Sequence, residues 1–431
     1  MNILIITGYS ISHIYPLESL ILFLKKKYNI SIICTQKNEW LPKKWNINTI
    51  VYPKKYWQCK YKDELINYDQ LIKNYSDIKQ QYLCYLEKDI LTTLNHFEEV
   101  EIFLKNVMNT ANPDIVIKDS TDIYWDIIKE NYPDVKTIGF ITNNLYSWNY
   151  LHDRNNLIHF LGIVDIEKQL GDTFIENFEN ILKNIYTKIV NQKKEIVPRL
   201  YYQYDPNERV NIIFSMPFFQ PIQSLNKMNK NFIITPELEN FKTESNIPLD
   251  LINFIDNKKI IYISTGSFIT KNIEYYIKLI QFLSSKCKNK IIISAGKQAE
   301  YLQKYVKDSS PDKKVYISSY IPQKYVLSQS CLFISTGGFN SIKEAIYFKV
   351  PMLIIPITCE QRLNGLIIED LGIGYTLYKK SQEKLDKIIN IILNKNKNIL
   401  KNLDKYSSLI IESEHNLNCF KEIDKWITNE K

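Results

Sequence analysis

With 431 residues, 45% of them hydrophobic and 24% charged, the chain has the balance of a folded globular protein, and wholesale disorder is excluded. At roughly 100–200 residues per domain, its length calls for two or three domains. The net charge is +8, but the lysines are dispersed rather than blocked, so no nucleic-acid footprint is expected.

Met1-Asn2-Ile3-Leu4-Ile5-Ile6-Thr7 enters a strand at once and offers neither the basic nor the apolar region of a secretion signal. The strand Ile3 to Ile6 leads through a loop with Gly8, Ser12 and His13 to Pro16, after which Leu17, Leu20, Ile21 and Leu24 recur at helical spacing. A second strand is expected from Ile30 to Cys34. Strand, helix and strand in such quick succession form a βαβ unit, which implies a parallel sheet. The same grammar predicts a strand at Asp114–Ile117, a helix at Ile123–Glu130 and a strand at Lys136–Ile141. Residues 151–200 are polar and helix-like and read as an excursion from the sheet. After the stretch from Pro236 to Pro248 a second α/β domain begins, with strands Lys259–Ser264, Ile291–Ser294, Val315–Ser318, Leu332–Ser335 and Met352–Ile355. Leu385, Ile388, Ile389 and Ile392 form one face of a late helix, and Leu417, Phe420, Ile423 and Ile427 one face of a closing amphipathic helix. The organisation expected is an N-terminal domain over 1–235, a linker over 236–258, a C-terminal domain over 259–410 and a last helix over 411–431 that returns towards the N-terminal domain. Both domains are expected to be doubly wound, Rossmann-like parallel sheets facing across a cleft, with ligands bound beyond the carboxyl ends of the strands.

No apolar run approaches the roughly 18 residues of a transmembrane helix. The seven cysteines are scattered, odd in number and without a C-x-x-C pair, which predicts a reduced, cytoplasmic protein without a cysteine-built metal site. Only 11 glycines are present, about a third of what an average usage of roughly 7% supplies, so each is expected where no other residue serves. The densest stretch is Ser335-Thr336-Gly337-Gly338-Phe339-Asn340-Ser341-Ile342-Lys343-Glu344-Ala345, which comes after a strand and opens a helix. A Gly-Gly turn lets the backbone approach a ligand, and the helix N-terminus offers unpaired N–H groups to an anion such as a diphosphate. A structural role competes, because Ser341-x-x-Glu344 has the spacing of a capping box that satisfies those donors internally. Capping does not account for the next stretch of chain, with its Val350-Pro351, Pro356, Glu360-Gln361, Asn364 and Gly372-Ile373-Gly374. A carboxylate beside a carboxamide just past a strand suits a polyhydroxylated ligand.

Residues 335–377 resemble the signature of family 1 glycosyltransferases, the UDP-glycosyltransferases, which runs H-G-G-x-N-S-x-x-E-A, then G-V-P, P, D/E-Q, N and G-x-G. Tyr320-Ile321-Pro322-Gln323 is similar to the family's nucleotide-facing V-P-Q or W-x-P-Q element, and Ser264-Thr265-Gly266-Ser267 to its S-x-G-S/T loop. Ser12-His13-Ile14-Tyr15-Pro16 resembles G-H-x-x-P, and Pro113-Asp114-Ile115-Val116-Ile117-Lys118-Asp119 resembles P-D-x-V-x-x-D. Val210-Asn211-Ile212-Ile213-Phe214 to Phe219-Gln220 is similar to the domain junction of bacterial macrolide-type members. The matches run in the family's order along nearly the whole chain, and residues 40–110 and 145–200 carry none.

The resemblance implies a GT-B fold and transfer of a hexose, with inversion, from a nucleotide sugar (a UDP-sugar foremost) to a hydroxyl of a small or medium, largely apolar acceptor. His13 would be the general base, a task that suits an imidazole whose ordinary pKa is about 6.5. Asp119 would hold its tautomer and stabilise the cation. Without the resemblance, His13 reads as an ordinary loop residue, Asp119 as a helix N-cap and Tyr320 as core. On the donor side, Tyr320 would lie against the base with Gln323 nearby. Ser267, Thr336, Asn340 and Ser341, with the backbone of Gly338, would face the phosphates, Glu344 the ribose hydroxyls, and Glu360 and Gln361 the sugar. The chain has no D-x-D motif and no histidine cluster with metal spacing, so no metal or other cofactor is implied. The helix N-terminus would stabilise the leaving diphosphate. Three departures stand out: Ser12 for a glycine, Lys349 for the glycine before Val350-Pro351, and Thr336 for the histidine before Gly-Gly. Thr336 keeps open a catalytically degenerate sugar-nucleotide-binding protein or regulatory subunit. A UDP-sugar epimerase is a third reading, less well served by Glu360-Gln361.

Overall fold

A computed structural model describes residues 1–8, 11–53, 97–120, 128, 131–146, 153, 155–156, 159, 208–225, 231–235, 246–256, 259–264, 273–309, 314–357, 359–378, 382–394, 397–413 and 417–428. They fall into two units. The first comprises Met1–Arg154, Asp165–Glu239 and Glu414–Lys431, and the second Asn155–Val164 and Asn240–Ser413. The helix expected over 123–130 and the excursion over 151–200 lie almost wholly outside the described residues.

In the first unit, chain order runs β1 (Asn2–Ile6), α1 (Glu18–Leu24), β2 (Asn29–Cys34), α2 (Trp40–Lys44), β3 (Asn48–Val51), α3 (Phe97–Ala111), β4 (Ile115–Asp119), β5 (Lys136–Ile141), β6 (Val210–Phe214) and β7 (Asn231–Thr235). The seven strands form one parallel sheet in the order β3-β2-β1-β4-β5-β6-β7. Its strands are continuous Ile/Val runs because both faces are covered. Ile3, Ile5, Ile115 and Ile117 pack on one face with Leu17, Leu20, Ile21 and Leu24. Leu4, Ile6 and Val116 pack on the other with Val100, Leu104 and Val107 of α3.

The second unit runs α4 (Leu249–Ile255), β8 (Ile260–Ser264), α5 (Ile273–Lys286), β9 (Lys290–Ser294), α6 (Ala299–Ser309), β10 (Val315–Ser318), α7 (Gln323–Ser328), β11 (Ser330–Ser335), α8 (Phe339–Tyr347), β12 (Met352–Ile354), α9 (Cys359–Asp370), β13 (Gly374–Thr376), α10 (Gln382–Leu393) and α11 (Lys397–Ser413). Its parallel sheet has the order β10-β9-β8-β11-β12-β13. Where the sequence predicts a linker, α4 forms a short helix of this unit, closed by Asp256 at φ 41°. The face of α10 carrying Leu385, Ile388, Ile389 and Ile392 is buried.

The last helix, α12 (Asn418–Thr428), belongs to the first unit. Phe420, Ile423 and Ile427 join the core beneath α1, and the Phe420 ring lies 5.7 Å from that of Phe23. Leu417, the first residue of the predicted stripe, is 42% exposed because it precedes the helix. Asp424 accepts hydrogen bonds from Lys27 and from the Tyr28 hydroxyl. Burial works against its charge, but these donors prevail and hold its carboxyl below the usual range.

Candidate functional site

In each sheet the strand order reverses once, between β1 and β4 in the first unit and between β8 and β11 in the second. At such a reversal the connections leave in opposite directions and open a crevice at the carboxyl ends of the strands. His13 and Asp119 lie at the first of these points and the stretch from Thr336 to Ser341 at the second. Tyr320 and Gln323 follow the edge strand β10, and Glu360 and Gln361 follow β12.

In the first unit, β1 ends at Ile6 and the chain passes into a short 3-10 turn, Ile11–His13. A second such turn, Tyr15–Leu17, precedes α1 and carries Pro16 near its start, where a fixed φ suits a helix. His13 is thereby presented beside the end of β4, where Asp119 is buried. His13 Nδ1 lies 2.7 Å from Asp119 Oδ2, and the Gly8 N–H donates to the same oxygen at 2.9 Å. A carboxylate only accepts, so Nδ1 carries the proton, and the basic lone pair of the neutral ring is on Nε2. Thr142, just past β5, places its Oγ1 3.4 Å from Nδ1, a contact that no motif or spacing signals. Nearby, Gln220 clamps the loop after β5 by accepting the Leu145 N–H at 2.9 Å and donating to its carbonyl at 3.0 Å.

In the second unit, Gly337 makes the turn after β11 at φ 91°, and a Cβ there would meet Ile354 Cγ2 at 2.8 Å. Asn364 of α9, fully buried, donates to the Gly337 carbonyl at 3.0 Å and holds the turn in place. The competing capping box at Ser341 and Glu344 does not form. Gly338 is the N-cap of α8, with no side chain to accept from the first N–H groups of that helix. A Cβ on Gly338 would meet nothing within 4 Å, so the space over the cap is open. Asn340 keeps a buried Oδ1 without a hydrogen-bond partner.

Ser341 and Glu344 turn instead to Gln323 at the start of α7. Its Nε2 donates to Glu344 Oε2 at 2.6 Å and to Ser341 Oγ at 3.1 Å, while its Oε1 accepts from the Tyr262 hydroxyl at 3.2 Å. Tyr320, on the loop before α7, is 72% exposed and no part of the core. Thr336 is buried, and its Oγ1 lies 3.4 Å from Gln361 Nε2, whose Oε1 accepts the Ile357 N–H at 2.9 Å. Glu360 Oε1 accepts from Asn364 at 3.3 Å. Ser267 lies outside the described residues. Among the described residues, no group of three or more His, Cys, Asp or Glu could hold a metal ion.

Residues 260–418 match the glycosyltransferase family 28 C-terminal domain. An uncharacterized UDP-glucosyltransferase of Bacillus subtilis (strain 168), YdhE, is 27% identical over 185 residues, 43% of this chain and 45% of that protein. The NDP-glycosyltransferase YjiC of the same organism is 31% identical over 176 residues, 40% of this chain and 42% of the relative. The matched sequence thus spans less than half the length of these relatives. Among solved structures, the glycotransferase of kitacinnamycin superposes with a TM-score of 0.71 at 14% identity over 99% of both chains. The calicheamicin glycosyltransferase CalG4 does so with a TM-score of 0.66 at 15% identity, over 99% of this chain and 98% of that one. The fold is GT-B.

The chain is similar in sequence to UDP-glucosyltransferases, and glycosyltransferases are among its structural neighbours. The matched domain carries the family 28 name rather than family 1, and it begins at the first strand of the second GT-B sheet. Among the described residues no helix is long and apolar enough to cross a membrane.

Proposed function

We propose that the protein transfers a hexose from a nucleotide sugar, a UDP-sugar foremost, to a hydroxyl of a small or medium, largely apolar acceptor, with inversion and without a metal. The observation that carries this reading is the 2.7 Å contact between His13 Nδ1 and Asp119 Oδ2 at the strand reversal of the first sheet. The acceptor's O–H proton passes to His13 Nε2 as its oxygen attacks the anomeric carbon. The bond from that carbon to the diphosphate oxygen breaks, and the nucleoside diphosphate leaves. Asp119, buried against the ring, stabilises the imidazolium, as the carboxylate of a Ser-His-Asp triad does. The N–H groups at the start of α8 meet the charge that grows on the diphosphate, with Gly338 leaving room for it. Tyr320 is exposed where a base could stack on it, and Glu344 with Gln323 takes the ribose side. Glu360 and Gln361 serve the sugar.

A donor screen by thermal shift against UDP-, dTDP- and GDP-sugars selects the nucleotide, since a ligand at 100 times its dissociation constant stabilises by about 2.7 kcal/mol. With that donor, His13→Ala is expected to lower turnover about 10²–10⁴-fold and to leave donor binding nearly unchanged. Asp119→Asn should act in the same direction, less severely. Near wild-type turnover in His13→Ala would sink the assignment. Thr336 favours a second reading, a donor-binding protein without transfer, because its short hydroxyl already meets Gln361. Donor binding without turnover in the wild type would select that reading.

A further inference from the structure

Tyr262 sits in the middle of β8, 1% exposed, with its ring stacked on Phe333 at 5.2 Å and 13°. Its hydroxyl donates to Gln323 Oε1 at 3.2 Å. Because the Glu344 carboxylate only accepts, Gln323 must present Nε2 to it, and Oε1 then has to face a donor. Tyr262 is that donor, on a ring the sheet cannot release. A glutamine held at one end only could turn its amide away from the carboxylate. Pinned at Oε1, it keeps Nε2 against Glu344 Oε2 at 2.6 Å and against Ser341 Oγ at 3.1 Å. The 2.6 Å contact is charge-assisted and sets how the carboxylate is rotated.

We propose that Tyr262, acting through Gln323, is a positioning residue that fixes the Glu344 carboxylate to recognise the ribose hydroxyls of a nucleoside diphosphate. This rests on the proposed donor site, in which Glu344 takes the ribose. It adds a residue that touches no ligand and sets the preference for a ribose over a sugar lacking its hydroxyls.

The test is calorimetric binding of the nucleoside diphosphate that the donor screen selects, UDP in the first instance, and of its 2′,3′-dideoxy counterpart. The proteins are wild type, Tyr262→Phe, Gln323→Leu and the double variant. Phenylalanine keeps the ring and its stacking, and the melting temperature checks that the fold survives. Wild type is expected to prefer the hydroxylated nucleotide. Tyr262→Phe should reduce that preference about three- to tenfold, the scale of one hydrogen bond, by weakening the hydroxylated nucleotide alone. Gln323→Leu should reduce it as well, and Tyr262→Phe should add nothing in that background. Equal weakening of both nucleotides, or an effect of Tyr262→Phe that persists without Gln323, would overturn the inference. So would wild-type protein that binds the nucleotide but ignores its hydroxyls. Failure of the wild type to bind UDP, TDP or GDP at all refutes the donor reading itself, and the inference with it.

Discussion

Lys349 adopts φ 57°, the left-handed conformation that closes α8. Its N–H donates to Ile346 O at 3.0 Å and that of Val350 to Ala345 O at 2.8 Å, the paired bonds of a Schellman turn. A side chain in this conformation costs about 1–2 kcal/mol. The ion pair of Lys349 with Asp404, at 2.8 Å between half-exposed groups, returns little of it. The departure from glycine at this position is thus a strained backbone, and Lys349→Gly is expected to stabilise by about 1 kcal/mol. A denaturant midpoint that falls or stays put would refute this. Six residues earlier, burial pushes the Lys343 ammonium from 10.5 down to about 7, with Glu344 acting in the opposite sense. The unfolded chain therefore holds that proton more tightly, and between about 7 and 10.5 the folded form gains stability as pH rises. Below 7 the folded protein must carry the buried charge. Lys343→Met should accordingly raise the melting temperature most at pH 6–7, with a gain over wild type that shrinks as pH rises to 9.5. A gain independent of pH would show that the amine is not the cause.

Among the elements, α12 shows how far periodicity reaches. The spacing of Phe420, Ile423 and Ile427 predicts a buried stripe, and the structure gives it the core beneath α1. Each such side chain contributes roughly 1.5–3 kcal/mol on burial. Deleting residues 414–431 should therefore lower the melting temperature sharply, and an unchanged value would make the helix a mere appendage. Leu417 shares the spacing of the stripe without its burial, because periodicity does not mark where a helix begins. The strands that the sequence does not announce, β3, β6, β7 and β13, are all at or next to the free edges of their sheets, and β3 and β13 are only four and three residues long. An edge strand has one ladder partner and less to bury, so its apolar run is short and its pattern weak.

At the scale of the whole molecule, two sheets with the same reversal of strand order each bring candidate groups to the carboxyl ends of their strands. In the proposed reaction the start of α8, which no side chain caps, would meet the phosphate charge and no cation is called for. Sugar transfer is accordingly expected to survive excess EDTA. Activity lost under chelation and restored by magnesium or manganese would overturn that account.

The choice of His13 and Asp119 as candidates came from the family resemblance, whereas local sequence determined the alternation of strand and helix, the parallel sense of both sheets and the Gly-Gly turn opening α8. These are encoded in residue spacing and in conformations only certain residues adopt, which neighbours along the chain suffice to specify. Tertiary structure alone decided the partners. His13 and Asp119 are 106 positions apart and meet because β1 and β4 are adjacent where the strand order turns. Ser341 and Glu344 carry the spacing of a capping box, yet an amide from α7 claims both, and the cap falls to Gly338. Tyr262 falls within the predicted strand Lys259–Ser264, and nothing in the spacing of that strand marks its hydroxyl. Its hydroxyl gained a role only when the packing of β8 against α7 placed Gln323 within reach, because which strands and helices become neighbours depends on packing between distant segments and leaves no trace in local spacing.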